Sequence, residues 1–127
     1  IIYEALTTFE SNVTNTSNEM AELIDEIDDP NLFGMNDIIV PYIQGENIMN
    51  YLDKLGNKMV HMHIVDSDGV SESHVCPGLG VLPLKELMAE LKDYGYDGNI
   101  TIELVTNYLN EPSIYSKMAI NNLKEYL

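Results

Sequence analysis

Positive charge is scarce in this chain of 127 residues, because six Lys and Arg stand against 21 Asp and Glu, a formal net charge of −15 at pH 7. Such a surface repels phosphate backbones and anionic lipid headgroups, which argues against nucleic-acid binding and attachment to an acidic membrane. No apolar run approaches the roughly 20 residues that a membrane-spanning helix needs. The composition therefore predicts a soluble protein without nucleic-acid or membrane partners.

Cysteine is equally scarce. Cys76 is the single one, so an internal disulfide is impossible. We see no secretory signal, and a cytoplasmic location fits best. The chain begins with Ile1 inside an apolar run and without an initiator Met, so we expect a fragment of a longer protein. Hydrophobic residues make up 45% of the sequence, enough for the core of one domain.

Four short apolar runs have the length and the Ile, Val and Met content of buried strands. They are Ile1 to Leu6, Leu32 to Ile39, Met59 to Val65 and Ile100 to Val105. Segments with helical periodicity lie between these runs and after the last one. The pattern of strand and helix is therefore repeated four times, and strands joined by helical crossovers run parallel. Such units build either an open sheet or half of an eight-stranded barrel.

The helices carry recognisable start and stop signals. Thr16 and Glu19 form a capping-box pattern before the first helix, which we expect to end near Pro30. A shorter helix from Ile48 stops at Gly56. Pro83 is placed as a first-turn proline before the third helix. Two further signals are Gly95, which ends that helix, and Pro112, which starts the last one.

Polar residues stand out toward the ends of the four predicted strands, namely Glu4, Asp37, His63 and Glu103. The C-terminal strand ends are the functional edge of parallel α/β folds, so we expect these groups to converge. On the fourth strand Glu103 lies on the face opposite Ile102, which suggests that it points into a barrel interior. Three carboxylates that meet repel one another unless a cation lies between them. The set therefore predicts one divalent metal: Mn²⁺, Mg²⁺, Co²⁺ or a catalytic Zn²⁺.

Two other histidines call for separate interpretation. His61 lies on the same strand face as His63, one layer deeper, and we interpret it as a hydrogen-bonded core residue. His74 lies in the long aperiodic stretch from Asp66 to Gly80, where a substrate contact and a surface role are equally compatible with the sequence. The Pro-Gly-Leu-Gly turn at 77–80 could hold an anion with its backbone amides.

Several segments together resemble the sugar isomerase and epimerase barrels of the xylose-isomerase-like superfamily. They are Ile2-Tyr3-Glu4-Ala5-Leu6, Asn36-Asp37, the run from His61 to Gly69, Pro77-Gly78-Leu79-Gly80 and Ile102-Glu103-Leu104. The resemblance covers the whole chain. It implies an α/β fold in which residues 1–127 form the C-terminal half, four consecutive βα units, of one TIM (β/α)8 barrel whose N-terminal half is missing.

The resemblance also implies an activity, the metal-dependent C3 epimerisation of a ketose or a ketosamine such as fructoselysine through a cis-enediolate. Glu4, Asp37, His63 and Glu103 would hold the metal. Of these, Glu4 and Glu103 would be catalytic, one removing the C3 proton and the other returning it on the opposite face. Related epimerases carry a His and an Arg where this chain has Val40 and Gly69, so Asp66 and His74 are the nearest candidates for substrate contacts.

Other functions fit the same scaffold. An aldose–ketose isomerase and an inosose dehydratase both begin with proton removal beside a carbonyl. An apurinic-site endonuclease fits poorly. It would need a DNA-cleaving site with several zinc ions, whereas the chain has three histidines and a net negative charge. A half barrel also leaves sheet edges unpaired, so it would associate with itself or with the missing half. A catalytically inactive fragment is the remaining alternative.

Overall fold

The computed structural model describes residues 1–105 and 108–127, and its strands form one parallel four-stranded sheet in the order β1-β2-β3-β4. The strands are β1 (Ile2–Glu4), β2 (Phe33–Asp37), β3 (Met59–Ile64) and β4 (Asn99–Ile102). Helical segments connect each strand to the next. The predicted succession of parallel βα units is therefore confirmed.

The helices are α1 (Ser17–Ile27), α2 (Ile39–Ile43), α3 (Asn50–Leu55), α4 (Leu84–Tyr94) and α5 (Pro112–Lys124), with a short 3-10 turn at Gly56–Lys58. The capping box predicted at Thr16 and Glu19 is present. Asp28, in a left-handed conformation, closes α1 two residues before Pro30. Pro112 occupies the first turn of α5. Pro83 lies one residue before α4, so its predicted place in the first turn is corrected by one position.

The second strand is shorter than predicted, and the helix α2 that follows it was missed. The run from Leu32 to Ile39 reads as one buried strand, but the strand ends at Asp37. Asp37 Oδ1 accepts a hydrogen bond from the Ile39 backbone N–H at 3.2 Å, which turns the chain away from the sheet. Because Asp37, Ile38 and Ile39 are all buried, apolar character alone could not mark the boundary.

The helices cover one face of the sheet. A Cβ on Gly34 of β2 would lie 2.8 Å from Met20 of α1 and 3.2 Å from Leu55 of α3, so glycine permits this close approach. Met62 and Ile64 of β3 point into the same core and are fully buried. The residues that alternate with them on β3, His61 and His63, belong to the opposite face.

The sheet has two edges, β1 and β4, and apolar side chains extend to both. Ile2 of β1 is 49% exposed. Beside β4 a groove of about 620 Å³ lies between the strand and α5, lined in part by Ile100, Ile102 and Ile120.

Among the described residues, no helix combines the length and the apolar character that crossing a bilayer requires. Cys76 is buried and unpaired, and a cytoplasmic location stays a prediction.

Candidate active site

Each strand places one candidate ligand at or just beyond its C-terminal end. Glu4 and Asp37 are the last residues of β1 and β2, and His63 is the penultimate residue of β3. Glu103 follows β4 directly, and its backbone N–H still donates to Ile64 of β3 at 3.1 Å. Asp37 and His63 are direct partners in the parallel ladder. The sheet pairing therefore brings these side chains to one edge.

The four side chains converge although they come from both edges of the sheet. One ligand atom from each of Glu4, Asp37, His63 and Glu103 lies within 4.8 Å of the others. In a flat sheet the first and fourth strands would be about 14 Å apart, at roughly 4.8 Å per strand. The convergence fits a sheet that curves around these side chains, as a segment of a barrel does.

The Nδ1 atom of His63 supports the fit of this cluster to a cation. It lies 3.1 Å from Glu103 Oε2 and 3.4 Å from Glu4 Oε1. It is nevertheless a buried atom without a hydrogen-bond partner among the described residues. A buried imidazole nitrogen aimed between two carboxylates is placed as a metal ligand is. The donor set of three carboxylates and one imidazole fits a divalent ion with open coordination positions.

The electrostatics of the cluster are those of crowded negative charge. Burial raises the pKa of Glu4 above its ordinary value, and the charges of Asp37 and Glu103 raise that pKa further, while His63 lowers it. The neighbouring negative charges therefore disfavour the ionised form of Glu4. A divalent cation among them would relieve this repulsion.

His74 reaches the cluster from the long loop between β3 and α4. Its Nε2 donates to Asp37 Oδ2 at 3.1 Å and lies 3.4 Å from Glu103 Oε2, while Nδ1 donates to the Glu72 carbonyl at 3.0 Å. The hydrogen bond to Asp37 raises the pKa of His74 to about 9, against the opposing effect of burial. Both ring nitrogens are engaged within the chain, so His74 contacts the candidate ligands rather than presenting a free nitrogen to a substrate.

Asp66 occupies a different place from the one expected of a substrate contact. It is 1% exposed, and its carboxylate accepts 2.9 Å hydrogen bonds from four backbone N–H groups. The donors are Ser67, Gly78, Gly80 and Leu82. The Pro-Gly-Leu-Gly turn thus does hold an anion, but that anion is a carboxylate of the chain itself. Asp66 therefore shapes the loop.

The glycine at position 80 is required by this arrangement. A Cβ there would overlap both the Asp66 carboxylate and the Ser67 carbonyl oxygen. Gly78 has a φ of +86°, a conformation that side chains other than glycine rarely adopt. Both glycines of the turn thus serve the contact with Asp66.

His61 does lie one layer below His63, but it is not a hydrogen-bonded core residue. Its ring contacts the ring of His63 edge-on with centroids 5.2 Å apart, and it is only half-buried. No side-chain hydrogen bond of His61 is found in the part of the chain that the structure describes. Burial, together with the charge of His63, lowers the pKa of His61. The prediction of its position was right, and that of its environment was wrong.

A small cavity of about 170 Å³ opens beside the cluster, lined in part by Glu4, Asp37, Glu103 and His74. Glu10 and Glu72 line it too, and the sequence analysis identified neither as a site residue because both lie in irregular segments. Pockets for small ligands usually enclose about 300 to 1,000 Å³. The cavity bounded by the described residues is therefore smaller than a typical ligand pocket.

Comparison with known proteins agrees with this geometry. The chain is 47% identical over its whole length to Fructoselysine 3-epimerase of Escherichia coli O157:H7, of which it covers 46%. It thus spans about half the length of the curated relatives it matches.

Solved structures show the same fold at lower identity. D-allulose 3-epimerase from Methylomonas sp. superposes with a TM-score of 0.83 at 22% identity, over 100% of this chain and 48% of that one. The IOLI protein, determined with a binding zinc atom, superposes with a TM-score of 0.70 at 21% identity, over 90% of this chain and 45% of its own. The family described as the xylose isomerase-like TIM barrel matches residues 1–125. The chain belongs to the xylose isomerase-like TIM barrel family.

Proposed function

We propose that this chain carries the metal centre and the catalytic groups of a sugar 3-epimerase that acts on a ketose or ketosamine, of the fructoselysine to psicoselysine type. The observation that carries the proposal is the convergence of Glu4, Asp37, His63 and Glu103 within 4.8 Å. The 47% identity to a Fructoselysine 3-epimerase supports the choice of substrate class. The zinc in one structural neighbour supports the choice of a divalent metal.

The four residues divide the chemistry between them. All four would hold the metal, which would supply positive charge against the negative charge that develops on the substrate oxygens. Glu103 removes the C3 proton and leaves an enediolate. Glu4 returns a proton to C3 from the opposite face, which inverts the configuration. Glu4 and Glu103 come from opposite edges of the sheet and flank His63, an arrangement that suits attack on two faces of one carbon.

We further propose that residues 1–127 are the C-terminal half of one barrel domain and that the remaining half is the partner. The coverage of 46% of the relative supports this, since it leaves about as much chain again to complete the barrel. The apolar groove beside β4 and the exposed Ile2 on β1 mark the two edges where the complementary strands would pack. The other half would also supply the missing wall of the cavity.

The assembly is tested by mixing. We expect this chain to form a one-to-one complex with the part of the E. coli O157:H7 relative that it does not match, or to self-associate when alone, because unpaired apolar strand edges favour association. Size-exclusion chromatography with light scattering measures the mass. Ile100→Asp in the groove should weaken the association, whereas Val70→Asp, in an exposed loop, should not. A monomeric mass under both conditions would contradict the proposal.

The reaction is tested by product analysis in deuterated water. We expect the assembled protein, supplied with Mn²⁺ and fructoselysine, to form the C3 epimer with deuterium at C3. Treatment with a chelator should abolish turnover, and added Mn²⁺ should restore it. Deuterium at another carbon would favour an aldose–ketose isomerase, and loss of water would favour a dehydratase. No turnover with metal bound would support an inactive fragment.

A further inference from the structure

His74 makes contacts that the proposed ligand set does not explain. Its Nε2 lies 3.1 Å from Asp37 Oδ2 and 3.4 Å from Glu103 Oε2, so one nitrogen touches two of the four carboxylate and imidazole groups. His74 itself does not belong to the group of four whose ligand atoms converge. His74 therefore contacts the four-residue cluster from outside it.

The surroundings fix the orientation of the His74 ring. Nδ1 donates to the carbonyl oxygen of Glu72 at 3.0 Å, which directs Nε2 toward the strands. The next residue, Val75, forms a two-bond antiparallel bridge with Asp66, with both distances 2.9 Å. Because the Asp66 carboxylate also holds the end of the loop, the backbone that carries His74 is anchored to the end of β3.

Asp37 is the residue that His74 constrains most. Oδ1 of Asp37 accepts from the Ile39 backbone N–H at 3.2 Å, and Oδ2 accepts from His74. The residue is 6% exposed, so water cannot readily replace either donor. With one donor on each oxygen, the carboxylate cannot rotate about its own axis without breaking a hydrogen bond. Such outer hydrogen bonds orient metal ligands and are important for affinity.

We propose that His74 is a positioning residue that orients Asp37, and through its second contact Glu103, for metal binding. The proposal rests on the proposed function, since it needs a metal at the centre. It differs from a substrate contact, because both ring nitrogens of His74 are directed at groups of this chain.

Two substitutions of His74 separate positioning of Asp37 from support of the loop. His74→Asn keeps an amide donor near the Nδ1 position, within reach of the Glu72 carbonyl, and lacks the donor to Asp37. His74→Gln places its amide donor near the Nε2 position and can retain the bond to Asp37. Val70→Ala is the matched control, because Val70 lies in the same loop and is 78% exposed. Isothermal titration of the assembled protein with Mn²⁺ alone gives the affinity, and circular dichroism checks the fold of each variant.

We expect His74→Asn to weaken Mn²⁺ binding roughly 10- to 100-fold, the range typical of outer-shell partners. His74→Gln should retain most of the affinity, and Val70→Ala all of it. Wild-type affinity in His74→Asn, or equal losses in both His74 variants, would overturn the proposal. If the assembled protein with the unchanged chain binds no Mn²⁺, the proposed function itself fails, an outcome that is distinguishable because it precedes any variant.

A measurement on the unchanged chain keeps the test independent of how the variants fold. We expect the ¹⁵N spectrum of the imidazole groups to show that His74 Nε2 keeps its proton when diamagnetic Zn²⁺ is bound, as a donor to Asp37 must. Loss of that proton on Zn²⁺ binding would remove the hydrogen-bond donor to Asp37 and would overturn the positioning role.

Discussion

Glu103→Gln is expected to lower the rate of C3 proton removal about 10²- to 10⁴-fold, the usual contribution of a general base. Gln keeps the size of the side chain and one oxygen that can bind a metal, but it cannot accept the proton. The affinity for Mn²⁺ should therefore fall only modestly. The measurement is exchange of the C3 proton into deuterated water, with Mn²⁺ saturating, in the assembly that contains this chain.

Glu111→Gln provides the matched control for that experiment, because Glu111 is an exposed residue at the start of α5. Its exchange rate should equal that of the unchanged protein. Exchange at the unchanged rate in Glu103→Gln would show that another group is the base, with Glu4 the next candidate. Loss of both exchange and Mn²⁺ binding would show that Glu103 acts mainly as a ligand.

Asp66→Asn is expected to destabilise the fold by at least about 2 kcal/mol, because two backbone N–H groups lose their acceptor at about 1 to 3 kcal/mol each. Each carboxylate oxygen of Asp66 accepts two of the four N–H groups. An amide can keep one oxygen in place, but its NH₂ group then faces two donors. The free energy of unfolding, measured with urea, should fall accordingly.

Asp93→Asn is the control for the change of charge, since Asp93 is exposed on α4 and makes no side-chain hydrogen bond among the described residues. It should unfold near the midpoint of the unchanged chain. Gly80→Ala should reproduce the loss seen in Asp66→Asn, because its Cβ overlaps the same carboxylate. A stability in Asp66→Asn equal to that of Asp93→Asn would show that the loop does not depend on this carboxylate.

The parallel sheet and the convergence of the four polar groups could be predicted because they depend on the alternation along strands and on the rule that functional groups lie at C-terminal strand ends. Glu4 and His63 could be identified as candidate site residues from their place on a strand alone. The end of β2 could not be predicted, because the helix α2 begins within the same apolar run and one hydrogen bond, from the Ile39 backbone N–H to the Asp37 carboxylate, decides where.

The β3 to α4 loop was the least predictable part of the chain. Asp66 and His74 are both polar residues in a stretch without periodicity, and the sequence could not distinguish their roles. Their roles follow from contacts with residues 12 to 37 positions away, such as Gly78 for Asp66 and Asp37 for His74. Only the folded loop shows that Asp66 turns inward to its own backbone while His74 turns to the centre.

The four proposed metal ligands occupy two kinds of position in the sheet. Asp37 and His63 lie on the inner strands β2 and β3, which keep both of their neighbours in the sheet. Glu4 and Glu103 lie on β1 and directly after β4, at the two seams where the rest of a barrel would adjoin. The spacing of the two proposed catalytic carboxylates therefore depends on how well those seams close. In the proposed epimerase a loosely joined barrel would therefore misalign the acid and the base, and turnover would depend on how closely the two seams pack.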